Sequence, residues 1–217
     1  MAESVINLTV HGIGATSRSL DQDEDLTWVS VERFERVMDA VVDRSDVRIT
    51  FDDGNASDVE IALPRLVERG LRAEFFVLAG ELGKPGRIDA DGVRALLTAG
   101  MRVGSHGWAH RDWRTIGPFE ERQELAEAHA VLGRLTGSPV SRVAIPFGSY
   151  DRRVLGRLRQ AGVTRAYTSD GGPARTGAWL QARTSLKHDL DRAWIDGVLG
   201  ARTGLRGLGA RLYKRMR

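Results

Sequence analysis

Two adjacent carboxylates, Asp52 and Asp53, follow a short β-branched segment within the sequence Thr-Phe-Asp-Asp-Gly at residues 50–54. Like charges side by side repel each other and lose solvation when partly buried, so folds seldom place them there unless they share a cation or a proton. An Asp-Gly pair alone also fits a simple turn. The carboxylates therefore predict a site only if the chain offers them a partner.

The chain offers such a partner in His106 and His110, two of its five histidines. Their spacing would place both rings on one face if the segment turned helically. One Asp and this His pair would supply three ligands to a divalent metal ion and leave a coordination position open. The other Asp would then be free to act on a water molecule. The four residues together predict a metal-dependent hydrolase.

The composition is that of an ordinary globular protein. Among 217 residues, 41% are hydrophobic and 28% are charged, which excludes the disordered, collagen and coiled-coil classes. The length predicts one catalytic domain over residues 1–199, followed by a basic tail over residues 200–217. The chain contains no cysteine, which excludes disulfides, cysteine-ligated zinc and a cysteine nucleophile. A metal ion would have to be bound through His and Asp.

The two ends of the chain bear on where the protein acts. The N-terminal residues show no basic region followed by an apolar stretch and a cleavage site, and no apolar run could span a bilayer, so we expect a cytoplasmic protein. The tail combines basic residues with leucine, tyrosine and methionine. It would either lie peripherally on an anionic membrane as an amphipathic helix or remain solvated. The positive charge forms no stripe interleaved with aromatic residues, so we expect no nucleic-acid partner.

Alternating strand and helix patterns must position the carboxylates and the histidines. Alternating or β-branched segments predict strands at residues 5–10, 47–51, 73–78, 101–104, 143–145, 165–168 and 179–183. Apolar residues at helical spacing, with capping residues at the ends, predict helices at about residues 31–44, 58–69, 91–99, 118–136, 152–161 and 190–199. Repeated strand–helix units without a dinucleotide-binding turn predict an α/β fold with a TIM-like barrel rather than an open sheet.

The polar residues of interest share one position relative to these strands. They fall at or just beyond the carboxyl ends of strands, where barrels of this type gather catalytic groups: His11, Asp52, Asp53, His106, Pro146, Phe147, Asp170 and Arg183. For His11, a pocket residue and a plain strand end remain open alternatives. The shared position predicts one site at one end of the barrel.

Three motifs together resemble those of the polysaccharide deacetylases of carbohydrate esterase family 4, over roughly residues 47–188. They are Thr-Phe-Asp-Asp-Gly at 50–54, Ser-His-Gly-Trp-Ala-His at 105–110 and Ile-Pro-Phe-Gly at 145–148. The resemblance implies a distorted (β/α)7 barrel, a divalent metal ion that is usually zinc, and an N-acetylated saccharide as substrate. It also implies that Asp53, His106 and His110 hold the metal and that Asp52 is the general base.

The resemblance further implies how the reaction would be completed. A backbone N–H at Phe147, between Pro146 and Gly148, would stabilise the oxyanion. His188, in the sequence Leu-Lys-His at 186–188, would protonate the leaving amine, although the same residues also read as a solvated loop. Trp108, inside the second motif, would be either a sugar-stacking platform or an ordinary packing aromatic.

The sequence also departs from the family pattern. Ala144 stands where the family often has an arginine that orients the base, and Arg183 or Arg142 would have to replace it. Asp170 begins an Asp-Gly-Gly sequence that lacks the tryptophan usual in the fourth family motif. These departures predict a divergent member.

The sequence as a whole predicts a hydrolase that removes N-acetyl groups from an amino-sugar-containing glycan or glycan precursor. In a cytoplasmic protein, that precursor would be linked to a lipid or a nucleotide. Two alternatives remain open. The same site would act on another amide or ester, such as a cyclic ureide or an O-acetyl group, or the barrel would be a non-catalytic glycan-binding or scaffold domain.

Overall fold

The computed structural model describes residues 4–16, 18–20 and 22–201. Apart from its first two residues, the basic tail predicted at 200–217 lies outside the described residues, and so does the membrane contact predicted for it. Among the helices of the described residues, none is both long and apolar enough to cross a bilayer.

Parallel strands form a nearly closed barrel, which confirms the predicted fold class. In chain order the strands are β1 (Ser4–Val10), β2 (Gly12–Ile13), β3 (Trp28–Val29), β4 (Val47–Phe51), β5 (Ala73–Val77), β6 (Arg102–Ser105), β7 (Arg142–Ala144), β8 (Arg165–Thr168), β9 (Ala174–Arg175), β10 (Leu180–Ala182) and β11 (Thr184–Ser185). Around the barrel the order is β10-β8-β7-β6-β5-β4-β1-β11, while β9 pairs antiparallel to β1 and β2 pairs with β3.

One short segment closes the barrel. β10 pairs with β8 and β11 pairs with β1, and only Arg183 separates β10 from β11. The sequence predicts a single strand over residues 179–183. The structure places β10 within that range and adds β11 beyond it. The two short strands bond to different neighbours, and Arg183 lies between them, where the chain changes partner.

Helices connect the barrel strands, and when the two π-helical stretches described below are counted with them, the helical segments begin and end within three residues of the predicted bounds. They are α1 (Val31–Val41), α2 (Leu63–Glu68), α3 (Ala90–Thr98), α4 (Pro118–Glu121), α5 (Ala128–Thr136), α6 (Arg152–Gln160) and α7 (Arg192–Leu199). The Ser30 side chain accepts a hydrogen bond from the Arg33 N–H and so caps α1, as predicted. Short 3-10 turns occur at Glu24–Thr27 and Pro146–Gly148.

Two of the predicted helices contain a π-helical stretch that the sequence periodicity does not reveal. These stretches are Asp58–Ala62, which leads into α2, and Arg122–Glu127, which joins α4 to α5. π-helical turns are rare and occur frequently at functional sites. Each of the two carries a fully buried acidic residue, Asp58 in the first and Glu124 in the second.

Aromatic packing fixes the carboxyl end of β4. Phe51, the last residue of β4, is fully buried and stacks on Phe75 of β5, with ring centroids 4.4 Å apart. Phe34 of α1 meets Phe51 edge to face at 6.1 Å. Such aromatic pairs contribute about 0.5–1.5 kcal/mol each beyond the burial of area. The residue before Asp52 is therefore held from the sheet side and from the helix side.

Candidate metal centre

A cavity of about 660 Å³ lies at the carboxyl ends of the barrel strands. It collects residues that are far apart in the sequence. The predicted site residues that line it are His11, Asp52, Asp53, His106, His110, Phe147, Gly148 and Arg183. The structure therefore brings most of the predicted site together at one end of the barrel.

A sharp turn after β4 directs the two carboxylates to different neighbours. The Asp52 N–H donates to the Val10 carbonyl at 3.0 Å, which extends the pairing of β4 with β1 by one residue. Asp53 and Gly54 then adopt φ angles of 74° and 65°. A left-handed conformation at a non-glycine residue costs on the order of 1–3 kcal/mol and persists where the surrounding structure enforces it. As a result, Asp52 faces Arg183, whereas Asp53 faces the two histidines.

The two histidines meet through a loop. Residues 106–110 contain no helical turn, so the helical arrangement considered from their spacing is wrong. The His106 N–H donates to the Val77 carbonyl at 2.9 Å, which continues the pairing of β6 with β5. Gly107 and His110 have φ angles of 90° and 54°, and these left-handed residues fold the chain back. The ring centroids of His106 and His110 come to lie 5.0 Å apart.

Asp53, His106 and His110 offer three ligand atoms that lie within 4.8 Å of one another. Asp53 Oδ1 is 3.4 Å from His106 Nε2 and 3.7 Å from His110 Nε2. That oxygen is buried, yet it has no hydrogen-bond partner among the described residues. A buried carboxylate oxygen without a donor is costly unless another group compensates its charge. This arrangement fits a cation bound between the three side chains.

The protonation state of His106 supports the same interpretation. Its Nδ1 lies 2.9 Å from the Ala144 carbonyl, which can only accept, so Nδ1 carries the proton. Burial lowers the pKa of His106 to about 4, so the ring is neutral at pH 7 and Nε2 presents a lone pair toward Asp53. A neutral imidazole whose other nitrogen donates to a carbonyl is the usual form of a metal-ligating histidine. The residues present therefore fit a divalent metal ion.

Arg183 forms a two-pronged ion pair with Asp52. Its Nη1 and Nη2 donate to Asp52 Oδ1 and Oδ2 at 2.7 and 2.6 Å, and Nη1 also lies 3.1 Å from Thr50 Oγ1. Both side chains are almost completely buried. Burial raises the pKa of Asp52, but the charge and hydrogen bonds of Arg183, together with the charges of His106 and His11, outweigh burial and hold this pKa below the ordinary value of 3.8. Asp52 is consequently ionised and fixed in orientation.

Arg142, the other residue considered as a replacement for the missing motif arginine, binds elsewhere. It donates to Glu74 Oε2 at 3.0 Å and lies 2.9 Å from the Tyr167 hydroxyl. Of the two, Arg183 is therefore the one that contacts Asp52. Ala144, which stands at the motif position, contributes its carbonyl to His106.

Phe147 lies at the tip of a tight turn in the cavity wall. Within Pro146–Gly148 it adopts a φ of 57°. The two following amides donate back to the carbonyls of residues 145 and 146 at 2.9 and 3.1 Å, whereas the Phe147 amide takes no part in closing the turn. The Phe147 side chain is 63% exposed, and its ring centroid is 4.3 Å from that of His110. Pro146 is buried and does not line the cavity.

Two histidines considered for catalysis differ in their placement. His11 lines the cavity beyond β1, with its Nε2 4.0 Å from Asp52 Oδ2. His188 is exposed, and its Nδ1 lies 3.2 Å from the Leu26 carbonyl. It is absent from the residues that line the cavity. The catalytic role of His188 stays a prediction that the geometry does not favour.

Asp170 and Trp108 also lie outside the cavity lining. The Asp170 carboxylate accepts hydrogen bonds from the hydroxyls of Tyr150 and Thr168 at 2.7 and 3.0 Å. Trp108 packs so closely over Gly80 that a Cβ there would come within 2.3 Å of the indole ring. These contacts match packing and loop bracing rather than contact with a ligand in the cavity.

Sequence reasoning missed several charged residues at or next to the site, including Arg87 and Asp58. Arg87 lines the cavity and donates to Asn55 Oδ1 at 2.8 Å, but no motif singles it out. Asp58 is fully buried, and neither carboxylate oxygen has a hydrogen-bond partner among the described residues. Burial, followed by the charges of Asp53 and Asp52, raises its pKa well above 3.8. In the sequence, Asp58 resembles an ordinary acidic residue in the first turn of a helix.

Comparisons with known proteins agree on one family. A family model described as polysaccharide deacetylase matches residues 39–166. The Bacillus subtilis (strain 168) protein YxkH, which bears the name of this family, is 23% identical over 128 residues, or 59% of this chain. A chitin deacetylase of Colletotrichum lindemuthianum is 26% identical over 113 residues, or 52% of this chain. The matched parts make up 46% of each of these curated relatives, so the chain spans about half their length.

Solved structures show the same fold at lower identity. The Streptococcus pyogenes deacetylase PplD, solved in complex with acetate, superposes with a TM-score of 0.79 at 17% identity, covering 91% of this chain and 99% of that chain. IcaB from Ammonifex degensii superposes with a TM-score of 0.73 at 20% identity, covering 91% of this chain and 96% of that chain. At these identities, the likeness shows a shared fold.

Proposed function

The chain belongs to the polysaccharide deacetylase family, and from that premise we propose that it is a metal-dependent hydrolase that removes N-acetyl groups from an amino-sugar-containing glycan or glycan precursor. The observation that carries the proposal is the cluster of Asp53, His106 and His110, in which a carboxylate oxygen with no hydrogen-bond partner among the described residues faces two histidine nitrogens. Asp52 lies beside this cluster, with Oδ2 3.9 Å from His106 Nε2. Zinc is the ion we propose, because two imidazoles and one carboxylate form a common zinc ligand set with an open position.

In this proposal Asp52 is the general base. Arg183 keeps the Asp52 carboxylate ionised and turned toward the cluster. A water molecule between the cluster and Asp52 gives up a proton to Asp52 as its oxygen attacks the acetamide carbonyl carbon. When bound, the metal ion supplies positive charge that polarises the carbonyl and eases deprotonation of water. The Phe147 amide donates to the oxyanion that develops.

Collapse of the oxyanion breaks the C–N bond, releases acetate and requires a proton on the leaving amine. Two histidines are candidates for this donor: His188 from the family resemblance, and His11 from its place in the cavity wall. Glutamine keeps the size and polarity of histidine but does not carry the proton. The true donor should therefore lose about 10²–10⁴-fold in kcat when it is changed to glutamine, while the other position changes little. Little change at both positions would exclude both.

The proposal is tested by measuring acetate release from N-acetylglucosamine oligosaccharides with the zinc-loaded protein. Asp52→Asn should retain zinc at one ion per chain and lose acetate release, whereas Asp91→Asn, on an exposed part of α3, should keep both. Asp53→Ala and His106→Ala should lose the metal. If Asp52→Asn released acetate at the wild-type rate, Asp52 would not be the base. If the wild-type protein bound no divalent metal, the hydrolase proposal would be overturned.

The alternative functions make different demands on the same residues. The hypothesis of a non-catalytic glycan-binding domain rests on Ala144, which stands where the family often has the arginine that orients the base. The ion pair between Arg183 and Asp52 weakens that support, because it supplies the expected partner of the base from another part of the barrel, between β10 and β11. A change of substrate to an O-acetyl ester or a cyclic ureide would use the same cluster. Parallel assays with acetylated xylan and with a ureide distinguish these substrates from the N-acetyl group.

The cellular location of the enzyme and the form of its substrate are proposed from the sequence alone. We propose a cytoplasmic enzyme that acts on a lipid-linked or nucleotide-linked N-acetylated saccharide, with peripheral membrane contact through the tail at residues 200–217. Sedimentation with anionic vesicles should fall when these residues are deleted from the chain, because their basic side chains attract anionic headgroups. Unchanged sedimentation would exclude the tail as the membrane contact. Acetate release from a nucleotide-linked N-acetyl sugar should exceed that from the free sugar.

A further inference from the structure

Glu124 is a fully buried carboxylate outside the cavity, and its side-chain contacts among the described residues are with residues 108–113, in and directly after the loop that carries His110; they include Arg111, whose Nη1 lies 3.6 Å from Oε1. Its Oε2 accepts from the Trp108 N–H at 2.8 Å, and its Oε1 accepts from the Ala109 N–H at 3.0 Å. The indole N–H of Trp113 donates to Oε2 at 3.2 Å. Burying a carboxylate is costly unless donors satisfy both of its oxygens, and this loop supplies those donors.

The same loop is held on its other side by the chain beyond β5. The Ala79 N–H donates to the Gly107 carbonyl and the Gly80 N–H to the Trp108 carbonyl, both at 2.9 Å. The loop carbonyls are therefore bound from the direction of β5 and the loop amides from the direction of Glu124. His110 follows directly after the amides bound by Glu124 and has a left-handed φ of 54°.

The π-helical stretch Arg122–Glu127 contains Glu124, and Gly107 allows its approach. A Cβ at residue 107 would come within 2.3 Å of Glu124 Oε2. The glycine in the second motif and the carboxylate in the π-helical stretch are therefore sterically matched. A helix can be buried against a barrel without either the glycine or the carboxylate. Gly107 lies in the segment between His106 and His110, and Glu124 contacts that segment.

We infer that Glu124 is a positioning residue for the metal centre: by binding the amides of Trp108 and Ala109, it sets the direction from which His110 Nε2 reaches the metal. The inference rests on the proposed metal-dependent function. A carboxylate can accept from two amides with its two oxygens. A glutamine at the same position has one acceptor oxygen and one NH2 group, so it would set a donor against one of the loop amides.

The test is metal binding by the stripped full-length chain, with zinc measured by competition against a chromophoric chelator and cobalt(II) measured by its visible spectrum. Glu124→Gln should weaken zinc binding by about 10–100-fold, the loss typical when a residue supporting a metal ligand is removed. It should also shift the cobalt spectrum, which reports coordination geometry. The matched control is Glu127→Gln, in the same π-helical stretch but with a 45% exposed side chain that contacts Arg122; it should bind both ions like the wild type.

A double-variant comparison separates positioning from plain loss of stability. If Glu124 acts through His110, Glu124→Gln should cause little further loss of affinity in a His110→Ala background. If Glu124→Gln does not fold, Glu124→Asp keeps the charge but reaches fewer of the amides, and it should show a weaker form of the same loss. Wild-type affinity and spectrum in the folded Glu124 variant, with only a lower thermal stability, would overturn the inference while leaving the proposed function intact. Absence of metal binding by the wild type would instead overturn the proposed function.

Discussion

Replacing Arg183 by methionine tests whether the ion pair with Asp52 both stabilises the fold and keeps the base ionised. Methionine keeps much of the length of the arginine stem but removes the guanidinium, whose central carbon lies 5.4 and 5.6 Å from the ring centroids of Phe76 and Tyr167. Asp52 would then be a buried carboxylate without its main partner. The change should therefore destabilise the protein and raise the pKa of Asp52.

The magnitude follows from the geometry of the pair. In a two-pronged pair with N–O distances of 2.7 and 2.6 Å, the charge centres lie about 4 Å apart, which corresponds to about 4 kcal/mol at an effective dielectric constant of 20. Breaking a buried pair by removing one partner costs about 3–5 kcal/mol, which agrees with this figure. For a domain of this size, a loss of about 4 kcal/mol lowers Tm by roughly 8–16 °C.

The pH dependence has a definite sign. The pKa of Asp52 is lower in the folded protein than its ordinary value of 3.8, so the pair stabilises the fold fully above about pH 4 and the contribution is lost as the pH falls through the folded pKa. The destabilisation by Arg183→Met should therefore be large at pH 7 and shrink toward pH 3. In the variant, the acid limb of the acetate-release profile should move to higher pH, because Asp52 must still ionise to act as a base.

The assay is urea unfolding of the metal-free protein, followed by tryptophan fluorescence at several pH values. Arg142→Met is the matched control: it removes an arginine bound to Glu74, not to Asp52, and should leave the acid limb of activity unchanged. Asp52→Asn combined with Arg183→Met should recover most of the lost stability, because removing both charges of a buried pair is often nearly neutral. Strictly additive losses in the double variant, or an unshifted acid limb, would refute the reasoning.

Two further predictions concern buried features near the site. Asp58→Asn should stabilise the metal-free protein more at pH 8 than at pH 4, because the folded pKa of Asp58 is raised and its contribution is lost as the pH rises through that pKa; equal changes in the free energy of unfolding at both pH values would contradict this. Gly107→Ala should cost about 2–4 kcal/mol and weaken metal binding, since the residue has a φ of 90° and its Cβ would meet Glu124. Gly156→Ala, with open space at its Cβ within α6, should instead gain up to about 1 kcal/mol; similar losses from both glycine changes would exclude the steric explanation.

The cluster of Asp53, His106 and His110 could be predicted from the sequence because the residue types alone indicate a candidate metal site. An aspartate and a pair of histidines such as Asp53, His106 and His110 have few common roles other than metal binding. A parallel barrel brings the carboxyl ends of its strands together whatever the details of packing. The path between the histidines could not be predicted. A spacing of four positions suggests a helix, but left-handed φ angles at Gly107 and His110 replace it.

Other parts of the site depend on contacts that sequence patterns do not encode. Arg142 lies on β7 and Arg183 lies between β10 and β11, and only the strand pairing decides which arginine meets Asp52. Glu124 lies in a predicted helix among polar neighbours, where the regular helical period gives no reason to expect full burial. Glu124 lies within a π-helical stretch, in which each turn contains about one residue more than in an α-helix, and this extra residue accounts for its inward position. The amino-acid composition does not reveal such a stretch.

Because Arg183 lies where the barrel closes, Asp52 has its counter-ion only when the barrel is complete. Asp52 enters the structure with β4, early in the chain, but its counter-ion arrives only with the last barrel segment, between β10 and β11. A partly assembled barrel therefore contains a carboxylate with no guanidinium to face, which favours either solvent access or protonation at that position. In the closed barrel, the opposite charge of Arg183 lies against Asp52. The proposed general base is therefore ionised and oriented only in a molecule whose ring of strands is complete, so that incompletely folded chains would not carry out the proposed reaction.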